Sequence, residues 1–547
     1  MEEYKDESLD KTERATRKSK LYYFLPLLIA IALAAGIFIG GKMRFSDTPE
    51  RFFTSNSNKD KLNRLIDYID YEYVDDVNTD SIVDVTVNNI LSKLDPHSVY
   101  IPNSQTEKVA ENMKGEFVGV GISFRMLKDS LTVIRTIEGG PAIDAGIQAG
   151  DRILTADKDT LFGKHLSNTY VIDKLKGVSG SEIALTVYRK STHENLNINL
   201  KRAAVPIKSV DAFFMLDDDI GYVKVNRFAE STYKEFRTAV TLLKHNGAKA
   251  IALDLRDNPG GYMEIAEQIA DEFLTKGKLI VFTRNKKGEE NKTYATAKGD
   301  FEDSDVYVLI NEKSASASEI VAGALQDNDV GTIVGRRSFG KGLVQREMPM
   351  PDGSAVRLTV ARYYTPTGRS IQRSYANGVD DYFDDFYKRY ENGELQSADS
   401  IKVADSLKFK TAKGKIVYGG GGIIPDEFVP LQSTQEEQHI NMVLKSELVS
   451  AYVFDYLDDH RNELKNISEK EFVSTFEITD DLVDGFQQYL YDRGIGFSVS
   501  LYKEDTKRYL KAGMAQQLYG DNTYQKILKQ KDTMLQKVIT LHEAKSE

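Results

Sequence analysis

The spacing of apolar positions changes along the chain of 547 residues, and each change predicts a different kind of structure. Residues 21–41 (LYYFLPLLIAIALAAGIFIGG) carry no charge. At 1.5 Å per residue the run is about 31 Å long against a bilayer core of roughly 30 Å, which predicts a transmembrane helix. Lys11, Arg14, Arg17, Lys18 and Lys20 crowd its N-terminal side, and Lys42, Arg44 and Arg51 follow it. That bias places residues 1–20 in the cytoplasm. A single-pass protein of the inner (cytoplasmic) membrane is expected, with the bulk of the chain in the periplasm or otherwise outside the cytoplasm. A signal peptide cleaved near Ala32-Leu33-Ala34 is the alternative; the length of the run favours an uncleaved anchor. Beyond a polar tether at 45–58 the period becomes helical. Leu62, Leu65, Ile66 and Ile69 share a face, as do Ile82, Val83, Val87, Ile90, Leu91 and Leu94, so 59–114 is expected to be a helical N-terminal region interrupted at LDPHSVYIP (94–102).

From 115 to 203 the period is two. GEFVGVGISFRM, LTVIRTI, SEIALTVYR and ENLNINLKR alternate as strands around a short helix, which predicts a β-rich module. From 204 to 430 buried strands alternate with amphipathic helices. IGYVKVNRF, AKAIALDL, VYVLIN and GTIVGR read as strands, and YKEFRTAVTLLKHNG and YMEIAEQIADEFL as helices, which predicts a mostly parallel sheet with helical cover. KGLVQREMPMPDGSAVRLTVARYYTP reads as a hairpin turning at Pro-Asp-Gly-Ser. The polar, acidic stretch 379–405 is expected to be an exposed insertion. Residues 431–547 read as a charged helical C-terminal region, its charge runs as solvated faces.

Composition then removes whole classes of function. Lys and Arg number 72 and Asp and Glu 83, a formal net charge of −11 that argues against general nucleic-acid binding. The absence of cysteine excludes disulfides, thiol nucleophiles and cysteine-ligated metals. Seven histidines form no HExxH or HxH pair, so no metal or other cofactor is expected.

Three serines, Ser314, Ser316 and Ser318, alternate with alanine where a strand gives way to a helix. A hydroxyl there meets unsatisfied N–H groups and the positive end of the helix dipole. Helix capping explains such serines equally well. His97 offers a base for a Ser-His pair, although a structural turn accounts for DPHS as readily.

Two resemblances sharpen the reading. Gly119-Val120-Gly121-Ile122 and the segment from Gly140 to Ile153 (GPAIDAGIQAGDRI) resemble the carboxylate-binding loop and core segment of a PDZ domain. The order DLRDNPGG, NEKSASASE, SFGKGLVQ, with 25 residues from Ser316 to Lys341 and four more to Gln345, resembles the C-terminal processing (tail-specific) serine peptidase family over roughly residues 60–430. The resemblance implies a crotonase-like (ClpP-like) spiral β-α core, an α/β fold, at 204–430 with the PDZ domain inserted at 115–203. It also implies Ser316 as nucleophile, Lys341 as general base and Gln345 orienting the amine. The amides of Ala317 and of Gly261, in preference to Gly260, would form the oxyanion hole. Arg256 and Asp257 are expected to anchor that loop, and Glu319 to cap the helix. Protein or peptide substrates with exposed C-terminal tails are the expected partners, with a homo-oligomer or adaptor contact through the C-terminal region. A non-catalytic PDZ scaffold and a small-acyl hydrolase of the same fold are the rival readings.

Overall fold

The computed structural model describes residues 57–546 except 128, 432–434 and 465, together with 30, 31, 33 and 34. The apolar run 21–41 therefore lies almost wholly outside the described residues. Among those described, no helix is long and apolar enough to cross a membrane. Residues up to Val83 form one unit and Asp84–Glu547 a second. The first holds the helix Ser57–Glu72 and the start of the helix Thr79–Leu91, and the Thr79 hydroxyl donates to Asp70 at 2.7 Å. The expected stripe is present in register, but its Leu62 and Leu65 stay exposed.

The second unit is built on a six-stranded sheet whose strands lie in chain order: Val210–Met215, Ile220–Val225, Ala250–Asp254, Asp305–Ile310, Gly331–Gly335 and Glu427–Phe428. The first pair is antiparallel and the rest are parallel. Ala250–Asp254 (AIALD) is buried at every position, as a strand covered on both faces must be. A second sheet carries the expected hairpin, Leu343–Pro349 against Ala355–Tyr364, and extends through Leu279–Asn285 to Glu290–Tyr294. Its other edge is Val99–Ile101, antiparallel to Ala355–Arg357, so the DPHS segment is brought to this sheet. The helix Ala317–Asp327 is buried along its whole length and packs against strands of both sheets. Its sequence, ASEIVAGALQD, is small and apolar on nearly every face, as a helix enclosed in a core requires.

The module at 115–203 is the predicted β structure: strands Ile122–Leu127, Ser130–Thr136, Arg152–Ala156, Glu182–Arg189 and Glu194–Lys201 in one sheet, with the helix Asn168–Leu175 and its own apolar core.

Two expectations for the rest of the chain are refined. The stretch 379–405 is exposed at more than half of its positions, yet it is anchored to the core. Its short helices Val379–Phe383 and Asp385–Glu391 bury Tyr382 and Arg389, and Leu395 beyond them is buried too. Arg389 donates to the carbonyls of Arg337 (3.0 Å) and Ser338 (2.9 Å), polar groups that no apolar side chain could have satisfied. The C-terminal helices have their own core, but their charges are not all solvated and they are not all separate from the sheet. The last helix, Thr533–Ser546, places Met534, Leu535 and Val538 on the face of the central sheet formed by Tyr222, Ala252 and Leu309.

Asp458 of the helix Glu447–Leu464 meets Arg152 through paired hydrogen bonds of 2.8 and 2.7 Å and Lys190 at 2.6 Å, both on the β-rich module. Asp458→Ala leaves the part-buried Arg152 guanidinium without its carboxylate, while Lys190 keeps Asp459 at 2.7 Å, a loss of about 1–3 kcal/mol. Faster hydrogen exchange at residues 148–152 and 188–190, with the module's own core unchanged, is the expected result. Exchange at the wild-type rate would show that this contact does not hold the module.

Candidate active site

Two tight turns at the ends of adjacent parallel strands meet at one point. The first follows Ala250–Asp254. Asp257 there has φ 60°, and its amide donates to Asn311 Oδ1 at 2.9 Å. Asn258 is fully buried. Its side chain donates to the Val225 carbonyl (2.9 Å) and accepts from the Gly260 amide (2.9 Å), and its carbonyl accepts from the Ala315 amide (3.0 Å) and the Ser318 hydroxyl (3.0 Å). A Cβ on Gly260 would lie 2.8 Å from Ser316 Cβ, so only glycine allows this approach. Gly260 has its amide occupied, whereas the Gly261 and Ala317 amides have no hydrogen-bond acceptor among the described residues.

The second turn follows Asp305–Ile310 and sorts the three serines. Ser314 donates to the Leu255 carbonyl (2.8 Å) and accepts from the Asn311 amide (2.9 Å), and Ser318 is committed to Asn258. Ser316 is the helix N-cap, at φ 56° and ψ −113°, outside the regions a side-chain-bearing residue ordinarily occupies. Its amide donates to the Glu319 carboxylate (2.9 Å), and the Glu319 amide donates back to its carbonyl (2.8 Å).

Glu319 is the residue whose importance the sequence understated. Fully buried, it accepts from the Ser316 amide (2.9 Å), the Lys341 amide (2.8 Å), the Gly340 amide (2.7 Å) and the Ser338 hydroxyl. Burial pushes its carboxyl pKa up, and the four donors oppose that shift. Tyr363, also buried, makes a second link, donating to the carbonyls of Lys341 (2.7 Å) and Ser316 (3.1 Å). One carboxylate and one phenol thus tie the main chains of two residues 25 positions apart. The signal for Glu319 was the S-x-x-E spacing itself, which reads only as a cap until the partner loop arrives.

The Lys341 ammonium is disfavoured by burial first and by Arg357 second, with Glu319 and Asp95 opposing, and its pKa falls to about 8. Arg357→Gln is expected to move the acid limb of any Lys341-dependent activity to higher pH, by up to about one unit; an unmoved limb would remove Arg357 from the account. Among the described residues, Lys341 Nζ and Ser316 Oγ make no hydrogen bond to each other. Gln345 makes no hydrogen bond to the lysine among the described residues; its side-chain amide donates at 3.3 Å to Thr359, its partner across the hairpin on the strand Ala355–Tyr364. His97 is paired with the Tyr382 hydroxyl at 2.9 Å, edge-on to Phe339 and Phe383. Burial and the charge of Lys341 lower its pKa to about 4, with Asp95 opposing and Arg373 adding to the fall. A neutral His97 held by Tyr382 accounts for the DPHS segment as structure. Among the described residues, no three His, Asp or Glu side chains converge on a metal-sized site.

At the β-rich module, Gly119, Val120 and Gly121 form the bend into the strand beginning at Ile122. The Val120 and Gly121 amides have no acceptor among the described residues, and the Gly121 carbonyl accepts from Ile137 (2.9 Å). Gly121 has φ 80° and abuts Gly140, so closely that a Cβ would lie 2.9 Å from the Gly140 Cα.

Comparison with known proteins places these features in a family setting. Residues 219–381 match the family model of peptidase family S41, 118–200 match a PDZ domain, and 439–520 match a family of unknown function. The chain is 35% identical over 353 residues to the carboxy-terminal-processing protease of Bartonella bacilliformis, covering 62% of this chain and 80% of that one. It is 30% identical to the carboxy-terminal processing protease CtpB of Bacillus subtilis (63% and 71% covered) and 30% identical to a probable CtpA-like serine protease of Staphylococcus aureus (85% and 92%). Among solved structures, the photosystem II D1 C-terminal processing protease is 29% identical, with a TM-score of 0.34 over 57% of this chain and 83% of that one.

Proposed function

The chain belongs to peptidase family S41 and is a carboxy-terminal processing serine protease with a PDZ domain, and from that premise we propose how its residues divide the work. Ser316 is the nucleophile and Lys341 the general base. A serine hydroxyl is a weak nucleophile, and a lysine at its usual pKa of about 10.4 is protonated at neutral pH. A lysine near 8 exists in part as the free amine. Glu319 and Tyr363 each bond the main chains of both residues, which keeps the backbones that carry the amine and the hydroxyl close to each other. That shared pinning is the observation that carries the proposal. Ser316 Oγ attacks the scissile carbonyl as Lys341 takes its proton. The ammonium returns the proton to the leaving amine, and water then hydrolyses the acyl-enzyme. The Gly261 and Ala317 amides receive the oxyanion, which the occupied amide of Gly260 could not do without first breaking its bond to Asn258. Gln345 would steady the ammonium after turning from Thr359.

The PDZ bend at Gly119-Val120-Gly121-Ile122 binds the substrate's terminal carboxylate through free amides, and the strand edge beside it takes the tail as an added strand. Residues 21–41 anchor the chain, uncleaved, in the cytoplasmic membrane with residues 42–547 outside the cytoplasm; the basic flank and the length of the run support this. A serine-directed fluorophosphonate tests the reading. It should label wild type at Ser316, and wild type should cleave an unstructured protein with an apolar tail, while Ser316→Ala does neither. Tail binding with no cleavage and no labelling would favour the scaffold instead.

A further inference from the structure

The turn that carries Gly261 is fastened at its root by a residue 276 positions away. Arg256 lies between the strand end at Asp254 and the amides of the oxyanion loop. Its guanidinium meets two carboxylates. Nε and Nη2 donate to Asp254 at 2.9 and 2.5 Å, and Nη1 and Nη2 reach Asp532 at 3.0 and 2.9 Å. The Arg256 amide donates to Asp254 (3.0 Å), and its carbonyl accepts from the part-buried Lys224 ammonium, so main chain and side chain are both held. Asp254 is wholly buried and Arg256 and Asp532 nearly so. Lys529 adds a further cation, 3.1 Å from Asp532 and 3.8 Å from Asp254.

Asp532 itself is fixed twice over. Its Oδ1 accepts from the Met534 and Leu535 amides (3.1 and 3.3 Å), capping the last helix, and that helix is seated on the central sheet through Met534, Leu535 and Val538. None of the three matched family models reaches this segment: they end at residues 200, 381 and 520. The last helix therefore closes the sheet, and Asp532 just before it presents one carboxylate to the arginine behind the oxyanion loop.

We propose that Asp532 is a positioning residue for catalysis, delivered by the C-terminal helices to hold Arg256 and, through it, the Gly261 amide in its transition-state position. The physical reason is the pairing. Arg256 offers a planar fork whose Nη1 edge only Asp532 holds, and losing that carboxylate leaves a buried N–H donor without an acceptor and the guanidinium fastened on the Asp254 side alone. The loop beyond it holds Asp257 at positive φ, so slack at Arg256 passes directly to residues 257–261. A displaced oxyanion donor weakens binding of the transition state more than binding of the substrate, so the loss should fall on kcat.

This rests on the peptidase reading above, and the test separates the two. Asp532→Asn in the full chain, with a tail-bearing protein substrate, is expected to lower kcat about 10- to 100-fold and leave KM within about twofold. Affinity for a peptide boronate, which forms a tetrahedral adduct, should fall by a like factor, while affinity of the PDZ domain for a tail peptide stays at the wild-type value. Asp532→Glu, which keeps the charge, should recover part of kcat. If Asp532→Asn does not fold, Arg256→Lys carries the test, since an ammonium keeps the charge opposite Asp254 and cannot fork; the same loss in kcat is expected. A folded variant with wild-type kcat and boronate affinity overturns the role of Asp532 alone. A wild-type chain with no Ser316-dependent cleavage overturns the peptidase reading and this proposal with it.

Discussion

Ser316→Ala is expected to lower tail cleavage about 10⁴- to 10⁶-fold, and Lys341→Ala to do nearly as much, with the double variant no worse than either. The non-additivity follows from the roles: a base has nothing to do once the hydroxyl is gone. The pH dependence identifies the base. Only the free amine can accept the proton, and its pKa sits at about 8. Activity should therefore climb about tenfold per pH unit below that value and level off above it. The same burial makes the lysine a burden on stability. Its folded pKa lies below its unfolded one, so the unfolded chain binds more protons between about 8 and 10.5, and stability rises with pH through that window. At neutral pH the full penalty is present, and Lys341→Met should stabilise the inactive protein by up to about 3 kcal/mol. A Lys341→Ala variant with wild-type turnover, or a pH profile flat from 6 to 9, would remove Lys341 from the mechanism.

The second large effect is expected at Glu319. Each carboxylate oxygen accepts twice, Oε1 from Ser338 and Gly340 and Oε2 from Ser316 and Lys341. Glu319→Gln keeps the shape but turns one oxygen into a donor, so at least two buried donors lose their acceptor. At about 1–3 kcal/mol for each, the variant should be roughly 2–6 kcal/mol less stable. Activity should fall at least about 100-fold even where the variant is folded, because the amide partner must abandon either the Ser316–Lys341 pair or the loop before Lys341. Thermal melting and cleavage measured on one preparation check both halves. A variant within about 1 kcal/mol of wild type and fully active would show that Tyr363 alone holds the two chains.

Much of this site could be read from the linear order of residues because its pieces are contiguous motifs. NPGG needs glycine for a close backbone approach, and Gly260 against Ser316 is that approach. SASASE needs a strand-to-helix junction, and the helix at Ala317 begins there. The strands and helices of the core follow from period-two and helical spacing, which is local. What escaped the reading was carried by single polar residues whose partners are far away in the chain. Arg389 looked like one charge in an acidic, exposed stretch until the carbonyls of 337 and 338 were placed against it. Asp458 and Asp532 looked like members of solvated runs for the same reason.

The amino-acid order alone determined the division into a β-rich module, an α/β core and a helical end, along with three serines as candidate nucleophiles, while Lys341 as base came from the family resemblance. Those depend on the period of apolar residues and on short motifs, which act within a few residues of one another. Only the folded chain decided which serine of three is left at the helix tip, which glycine amide stays unoccupied, and that the final helix closes the central sheet. Each of those outcomes depends on a buried hydrogen bond or ion pair between distant segments, and such a pair exists only once both partners have left water together.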